Sequence, residues 1–133
     1  MSKRLLFASS ITLGLALALP GCSSAPKQEA TRAPAITSAT MANMSDEHIY
    51  SELRSSYEAA LLCRGLVPSD QDRSQMAALL NEKTNGQLMP GVQLSLIDAA
   101  HRSVVSRHNG EGCSGPRMSE LLSIYDTQLS QIF

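Results

Sequence analysis

Between residue 46 and the C terminus, large apolar side chains recur at intervals of three and four residues, the spacing of one face of an α-helix. Segments rich in Gly and Pro interrupt this pattern and divide it into four predicted helices. The helices span about residues 46–64, 69–85, 92–108 and 116–133. No stretch has the alternating pattern of a half-buried strand. The sequence therefore predicts an all-α fold, a small four-helix bundle.

Local signals mark several ends of these helices. Ser45 precedes two acidic residues and is a favourable N-cap for the first helix, and Gly65 suits its C-cap. Ser69 followed three residues later by Asp72 resembles a capping box at the start of the second helix. Pro116 suits the first turn of the fourth helix. The apolar stripe of that helix continues to the end of the chain and is typical of core packing.

The third predicted helix has an unusually wide apolar face. The preceding Pro90-Gly91 predicts a turn, and Asn109-Gly110 predicts the end of the helix. A wide apolar face indicates contact with more than one neighbour. Two explanations fit this wide face: the helix is central in the bundle, or part of its apolar face contacts a ligand or a partner protein. Its apolar members are Val92, Leu94, Leu96, Ile97, Ala99, Ala100, Val104 and Val105.

The first residues of the chain have the layout of an export signal. Two cations, Lys3 and Arg4, precede an apolar run over 5–19, which is short for a membrane span. The run is followed by Pro20, Gly21 and Cys22, and together with Leu19 these residues resemble the lipobox of bacterial lipoproteins. The resemblance implies that residues 1–21 are removed and that Cys22 becomes a lipidated N terminus. An ordinary signal peptide cut after Ala18 is the alternative.

The residues after Cys22 differ in composition from the rest of the chain. Residues 22–45 are rich in Ser, Ala, Thr and Pro and hold few large apolar side chains, so we expect a lipidated flexible tether. A short helix over Ala39–Met44 is the less favoured alternative. In lipoproteins, Ser rather than Asp after the lipidated cysteine implies the outer membrane. We therefore expect a lipid anchor at the periplasmic face of that membrane and a helical domain over 46–133.

Charge and motifs argue against several classes of function. Removing Lys3 and Arg4 with the signal peptide leaves nine basic and twelve acidic residues, a net charge of −3, and no basic patch for nucleic acid. The sequence lacks the common catalytic and phosphate-binding motifs. His101 and His108 lie too far apart along one helix for easy joint binding of a metal, and we expect Glu52 and Glu58 to be solvated. We expect no enzymatic activity, no cofactor, no metal and no small-molecule substrate.

Two cysteines remain if Cys22 carries lipid. An exported protein reaches an oxidising compartment, where Cys63 and Cys113 would form a structural disulfide. Two free thiols or a redox pair are the competing interpretations, and the absence of a CxxC motif favours the disulfide.

A small exported helical domain without catalytic motifs commonly acts by binding another protein. A groove between helices can accept an amphipathic helix through apolar anchors at helical spacing. Each candidate residue for such a groove could instead be an ordinary core residue. The candidates are Tyr57, Leu61, Leu79, Leu80, Leu94 and Ile97.

These features together resemble one family. A lipobox-like Cys22, a tether, a helix ending in LLCRGLVPSD (residues 61–70), a cysteine about 50 residues later and a terminal helix resemble the PulS/OutS group of pilotins. These are small outer-membrane lipoproteins of type II secretion. The resemblance covers about residues 46–133, mainly as layout, and the Trp associated with the end of the second helix in that group is missing.

The resemblance implies a function without catalysis. Pilotins of this group bind the C-terminal segment of a secretin subunit as a helix, in a groove formed by their first three helices, and direct the secretin to the outer membrane. We therefore expect a secretin as the partner. One alternative is a structural or envelope-stress lipoprotein that contacts a different envelope component. Another is an inhibitor or acid-stress chaperone of the small disulfide-linked helical kind.

Overall fold

The computed structural model describes residues 38–133, which contain five α-helices and one short 3₁₀ helix. The predicted signal peptide and residues 22–37 of the predicted tether lie outside the described residues. No strand occurs between residues 38 and 133, so the prediction of an all-α domain with four long helices is confirmed. The helices are α1 (Ser38–Met41), α2 (Asp46–Arg64), α3 (Asp70–Lys83), α4 (Pro90–Glu111) and α5 (Pro116–Gln128), and the 3₁₀ helix is Ser130–Ile132.

The predicted capping signals are present at both ends of α2 and at the start of α3. The side chain of Ser45 accepts a hydrogen bond from the backbone N–H of His48, and Gly65 ends α2 with a left-handed backbone at φ 63°. At α3, the Ser69 hydroxyl accepts from the backbone N–H of Asp72, while the Asp72 carboxylate accepts from the backbone N–H of Ser69. Both interactions satisfy backbone groups that a helix end leaves unpaired.

The predicted bounds of the third long helix were wrong at both ends. Pro90-Gly91 does not form a turn; Pro90 is the first residue of α4, where its missing N–H costs nothing. The chain turns earlier, where Asn85 and Gly86 both have positive φ. Asn109-Gly110 continues the helix to Glu111, and Gly112, at φ 68°, follows its last residue.

Helix α2 lies at the centre of the domain. It packs against α3, α4 and α5, and eight of its nineteen residues are buried. Leu53 and Ala60 are fully enclosed, as are Met76 and Leu80 from α3 and Met118 and Leu121 from α5. Only Ala100 and Val104 of α4 are buried. Helix α2 thus packs most extensively against α5 and α4 and less extensively against α3, and α4 leaves most of its own surface accessible.

The domain extends N-terminally beyond residue 46. α1 is a single turn, and the partly buried side chains of Met41 and Met44 pack against the core. The burial of these two methionine side chains accounts for the order of the segment before α2. From composition alone, this segment was predicted to be part of the tether.

Covalent and ionic contacts connect the helices. The Cys63–Cys113 disulfide joins the last turn of α2 to the loop between α4 and α5, as predicted. The Arg117 guanidinium contacts the carboxylates of Glu52 at 2.5 Å and Glu120 at 2.8 Å. Burial lowers the pKa of Arg117, but hydrogen bonds to both carboxylates outweigh this effect and leave the pKa raised. The expectation that Glu52 is a solvated charge was wrong, because its side chain is only 16% exposed.

Candidate functional site

The structure separates the six predicted groove residues into two groups. Tyr57 and Leu80 are enclosed in the core, with exposed fractions of 2% and 0%, and Phe133 stacks on the Tyr57 ring with centroids 6.2 Å apart. Neither side chain can contact a partner unless the core opens. The remaining four are accessible on α2, α3 and α4: Leu61, Leu79 and Ile97 are half-buried, and Leu94 is exposed.

An apolar pocket lies between α2 and α4. Each helix contributes three side chains at spacings i, i+3 and i+4, so that both present one continuous face. The pocket has a volume of about 260 Å³. We call it the α2–α4 pocket, and it is lined by Glu58, Leu61 and Leu62 from α2 and by His101, Val104 and Val105 from α4.

The pocket is apolar in its interior and charged at one edge. Val104 is buried, whereas Leu62 is 42% exposed, so an incoming apolar group could reach the pocket. A carboxylate oxygen of Glu58 lies 3.1 Å from Nδ1 of His101 across the two helices. The other oxygen accepts a hydrogen bond from Arg54 at 2.5 Å. The arrangement resembles the centre and rim of a protein-binding surface, in which apolar contacts are flanked by fixed polar groups.

The expectation that Glu58 is a solvated charge was wrong. Its side chain is only 11% exposed, because Arg54 and His101 cover it from two sides. Arg54 is itself held over the ring of Tyr57, with its guanidinium carbon 5.0 Å from the ring centroid. Because both oxygens of the Glu58 carboxylate have partners, its side chain is held in one position. The carboxylate therefore gives the edge of the pocket a defined shape.

The wide apolar face of α4 is only partly used within the domain. α4 packs mainly on α2 and to a smaller extent on α5. Leu94 remains 67% exposed, and Met89, immediately before the helix, is 71% exposed. Val92 and Val105 are half-buried. The helix therefore presents more apolar surface than its neighbours cover, which is typical of a surface that meets another molecule.

Sequence reasoning selected Leu61 but missed the five other residues that line the pocket with it. Val104 and Val105 were recognised as part of the wide apolar face but not as pocket residues, Glu58 was expected to be solvated, and Leu62 and His101 were not selected as pocket residues. The matching i, i+3, i+4 spacing on the two helices is the signal that could have identified them. That signal becomes specific only when the two helices are known to be neighbours.

No protein-family model, no curated protein and no solved structure matches this chain. Within residues 38–133, no helix combines the length and apolar character needed to cross a bilayer.

Proposed function

We propose that this protein is a pilotin-like lipoprotein that binds the C-terminal segment of a secretin subunit as an amphipathic helix. The observation that carries the proposal is the α2–α4 pocket, together with the apolar surface of α4 that the domain leaves uncovered. An amphipathic helix could insert apolar side chains spaced at i and i+3 or i+4 between α2 and α4. The resemblance of the sequence to the PulS/OutS group supports a secretin as the source of that helix.

The size of the pocket favours a peptide over a small molecule. Pockets for drug-sized ligands commonly enclose about 300–1,000 Å³. The α2–α4 pocket encloses about 260 Å³ and is open toward solvent. A space of that size suits one or two aliphatic side chains of a larger partner, and the rest of the partner would lie along the exposed face of α4.

In this proposal the protein makes and breaks no bonds. Cys22 carries the lipid, the anchor lies at the periplasmic face of the outer membrane, and the helical domain carries the bound secretin to that membrane. Each acyl CH₂ buried in the bilayer contributes about 0.8 kcal/mol, so several acyl chains would hold the complex firmly.

A binding measurement with a matched pair of variants tests the proposal. Full-length protein in detergent is titrated into a fluorescent peptide from a secretin C terminus, and anisotropy is recorded. We expect a Kd on the order of 10 μM or lower. Leu62→Glu should weaken binding at least tenfold, because it places a carboxylate at the apolar pocket. Val67→Glu is the control: Val67 is 91% exposed and lies outside the pocket, so binding should stay within about twofold.

Two outcomes would contradict the proposal. The first is no binding of the peptide by the parent protein while circular dichroism reports intact helices. The second is equal binding by the parent and Leu62→Glu proteins, which would exclude the pocket as the binding surface. If no secretin peptide binds, an envelope adaptor with a different partner becomes the better interpretation.

A further inference from the structure

Three potential metal ligands meet at the end of α4. Cys63 lies in the last turn of α2, His108 in the last turn of α4, and Cys113 in the loop that follows. The two sulfur atoms and a ring nitrogen of His108 all lie within 4.8 Å of one another, and all three residues are half-buried. The sulfur atoms are joined as a disulfide in this structure.

We propose that the dithiol form of this protein binds one zinc ion through Cys63, His108 and Cys113. Thiolate and imidazole are ligands that zinc prefers, and three protein ligands leave a fourth position for water. The proposal does not depend on the proposed binding of a secretin.

The distances are compatible with tetrahedral zinc after reduction. Zinc–sulfur bonds of about 2.3 Å and a zinc–nitrogen bond of about 2.0 Å place neighbouring ligand atoms about 3.5–3.8 Å apart. The His108 nitrogen lies within 4.8 Å of both sulfur atoms, and the two sulfurs must move apart from bonding distance. With the Cα atoms of Cys63 and Cys113 5.6 Å apart, rotation of the cysteine side chains can supply that movement.

The chemical steps balance with a dithiol reductant. The reductant supplies two electrons and two protons to the disulfide, becomes a disulfide itself, and leaves two thiols on this protein. Zinc then binds the two sulfurs as thiolates, and the two thiol protons pass to solvent. His108 contributes a ring nitrogen that carries no proton, so its imidazole is neutral.

The consequence is that the link between α2 and the α4–α5 loop survives loss of the disulfide. The covalent bond and the zinc ion connect the same two points of the chain, so either can restrict the unfolded chain and hold α4 beside α2. The oxidised protein has no free thiolate at this position and should not bind zinc here.

The test uses the full-length protein with Cys22→Ser, so that Cys63 and Cys113 are the only thiols. The protein is reduced with a phosphine, the phosphine is removed without oxygen, and zinc is titrated against a chromophoric chelator. We expect one zinc per chain for the reduced protein and none for the oxidised protein. Cobalt added in place of zinc should give the absorption band of thiolate-to-cobalt charge transfer.

Two histidine variants identify the third ligand. His108→Ala should weaken zinc binding at least tenfold. His48→Ala is the control, because this exposed histidine lies at the start of α2, at the opposite end of the helix from Cys63, and the variant should bind zinc like the parent. Circular dichroism of each oxidised variant checks that the fold is retained. If reduction unfolds the parent protein, zinc should restore its helicity.

The proposal is overturned if the reduced parent takes up less than one equivalent of zinc. It is also overturned if His108→Ala binds zinc as tightly as the parent, because the site would then lack its third protein ligand.

Discussion

Replacement of both bridging cysteines, Cys63→Ala with Cys113→Ala, should strongly destabilise the domain. The disulfide closes a loop with a sequence separation of 50 residues. In the chain-entropy model, a loop of this length removes about 14 cal/mol/K from the unfolded ensemble, or about 4 kcal/mol at 25 °C. Domains of this size commonly have free energies of unfolding of about 5–15 kcal/mol. The variant should therefore lose a large part of its stability.

Urea unfolding followed by far-ultraviolet circular dichroism measures this loss. With a slope near 2 kcal/mol/M, a loss of about 4 kcal/mol lowers the midpoint by about 2 M. Parent protein reduced with a phosphine in chelator-treated buffer serves as the control, because it lacks the same bridge without a change of sequence. A loss below about 1 kcal/mol in both samples would refute the reasoning, since the bridge would then not restrict the unfolded chain.

The remaining predictions concern packing, backbone conformation and charge. Leu53→Ala should lower the free energy of unfolding by about 2–5 kcal/mol in urea titrations, because Leu53 is fully buried. Gly65→Ala should lower the free energy of unfolding by about 1 kcal/mol, because Gly65 has φ 63°. Gly91→Ala, at a helical position with open space for a Cβ, should not lower it, and equal losses in the two variants would contradict this explanation. A hydrogen bond from Arg64 holds the pKa of Asp126 below its usual value, so its stabilising effect is present near neutral pH and is lost as the pH falls through the acid range. Asp126→Asn should therefore flatten the decline in stability between about pH 5 and pH 3, and an unchanged decline in acid unfolding curves would argue against this pair.

Both ends of α2 and the start of α3 could be predicted because their determinants are local. The Ser45 cap, the Gly65 terminus and the Ser69–Asp72 box each depend on residues within three or four positions. Pro90-Gly91 was misread because Pro is compatible both with a turn and with the first position of a helix. Whether the chain makes a turn or starts a helix at Pro90 depends on where α4 packs. The packing position of α4 is set by residues far away in the sequence.

The candidate site was harder to predict than the fold. Periodicity identifies the apolar side of a helix but not which apolar residues a neighbour will cover. Tyr57 was a reasonable groove candidate on α2, yet Phe133 and the core enclose it. The pocket between Leu62 and Val105 depends on the pairing of α2 with α4, two helices separated along the chain by α3.

The slight burial of α4 has a consequence for how the native state fluctuates. A helix of 22 residues with only Ala100 and Val104 enclosed can detach at a smaller free-energy cost than α2 or α5, which bury eight and four residues. The disulfide restrains its C-terminal end, so detachment should start near Pro90 and progress toward the bridge. Amide hydrogens around Ile97 should accordingly exchange with deuterated solvent sooner than those around Val105. The same partial opening of α4 would widen the α2–α4 pocket, which a helix from a binding partner has to enter.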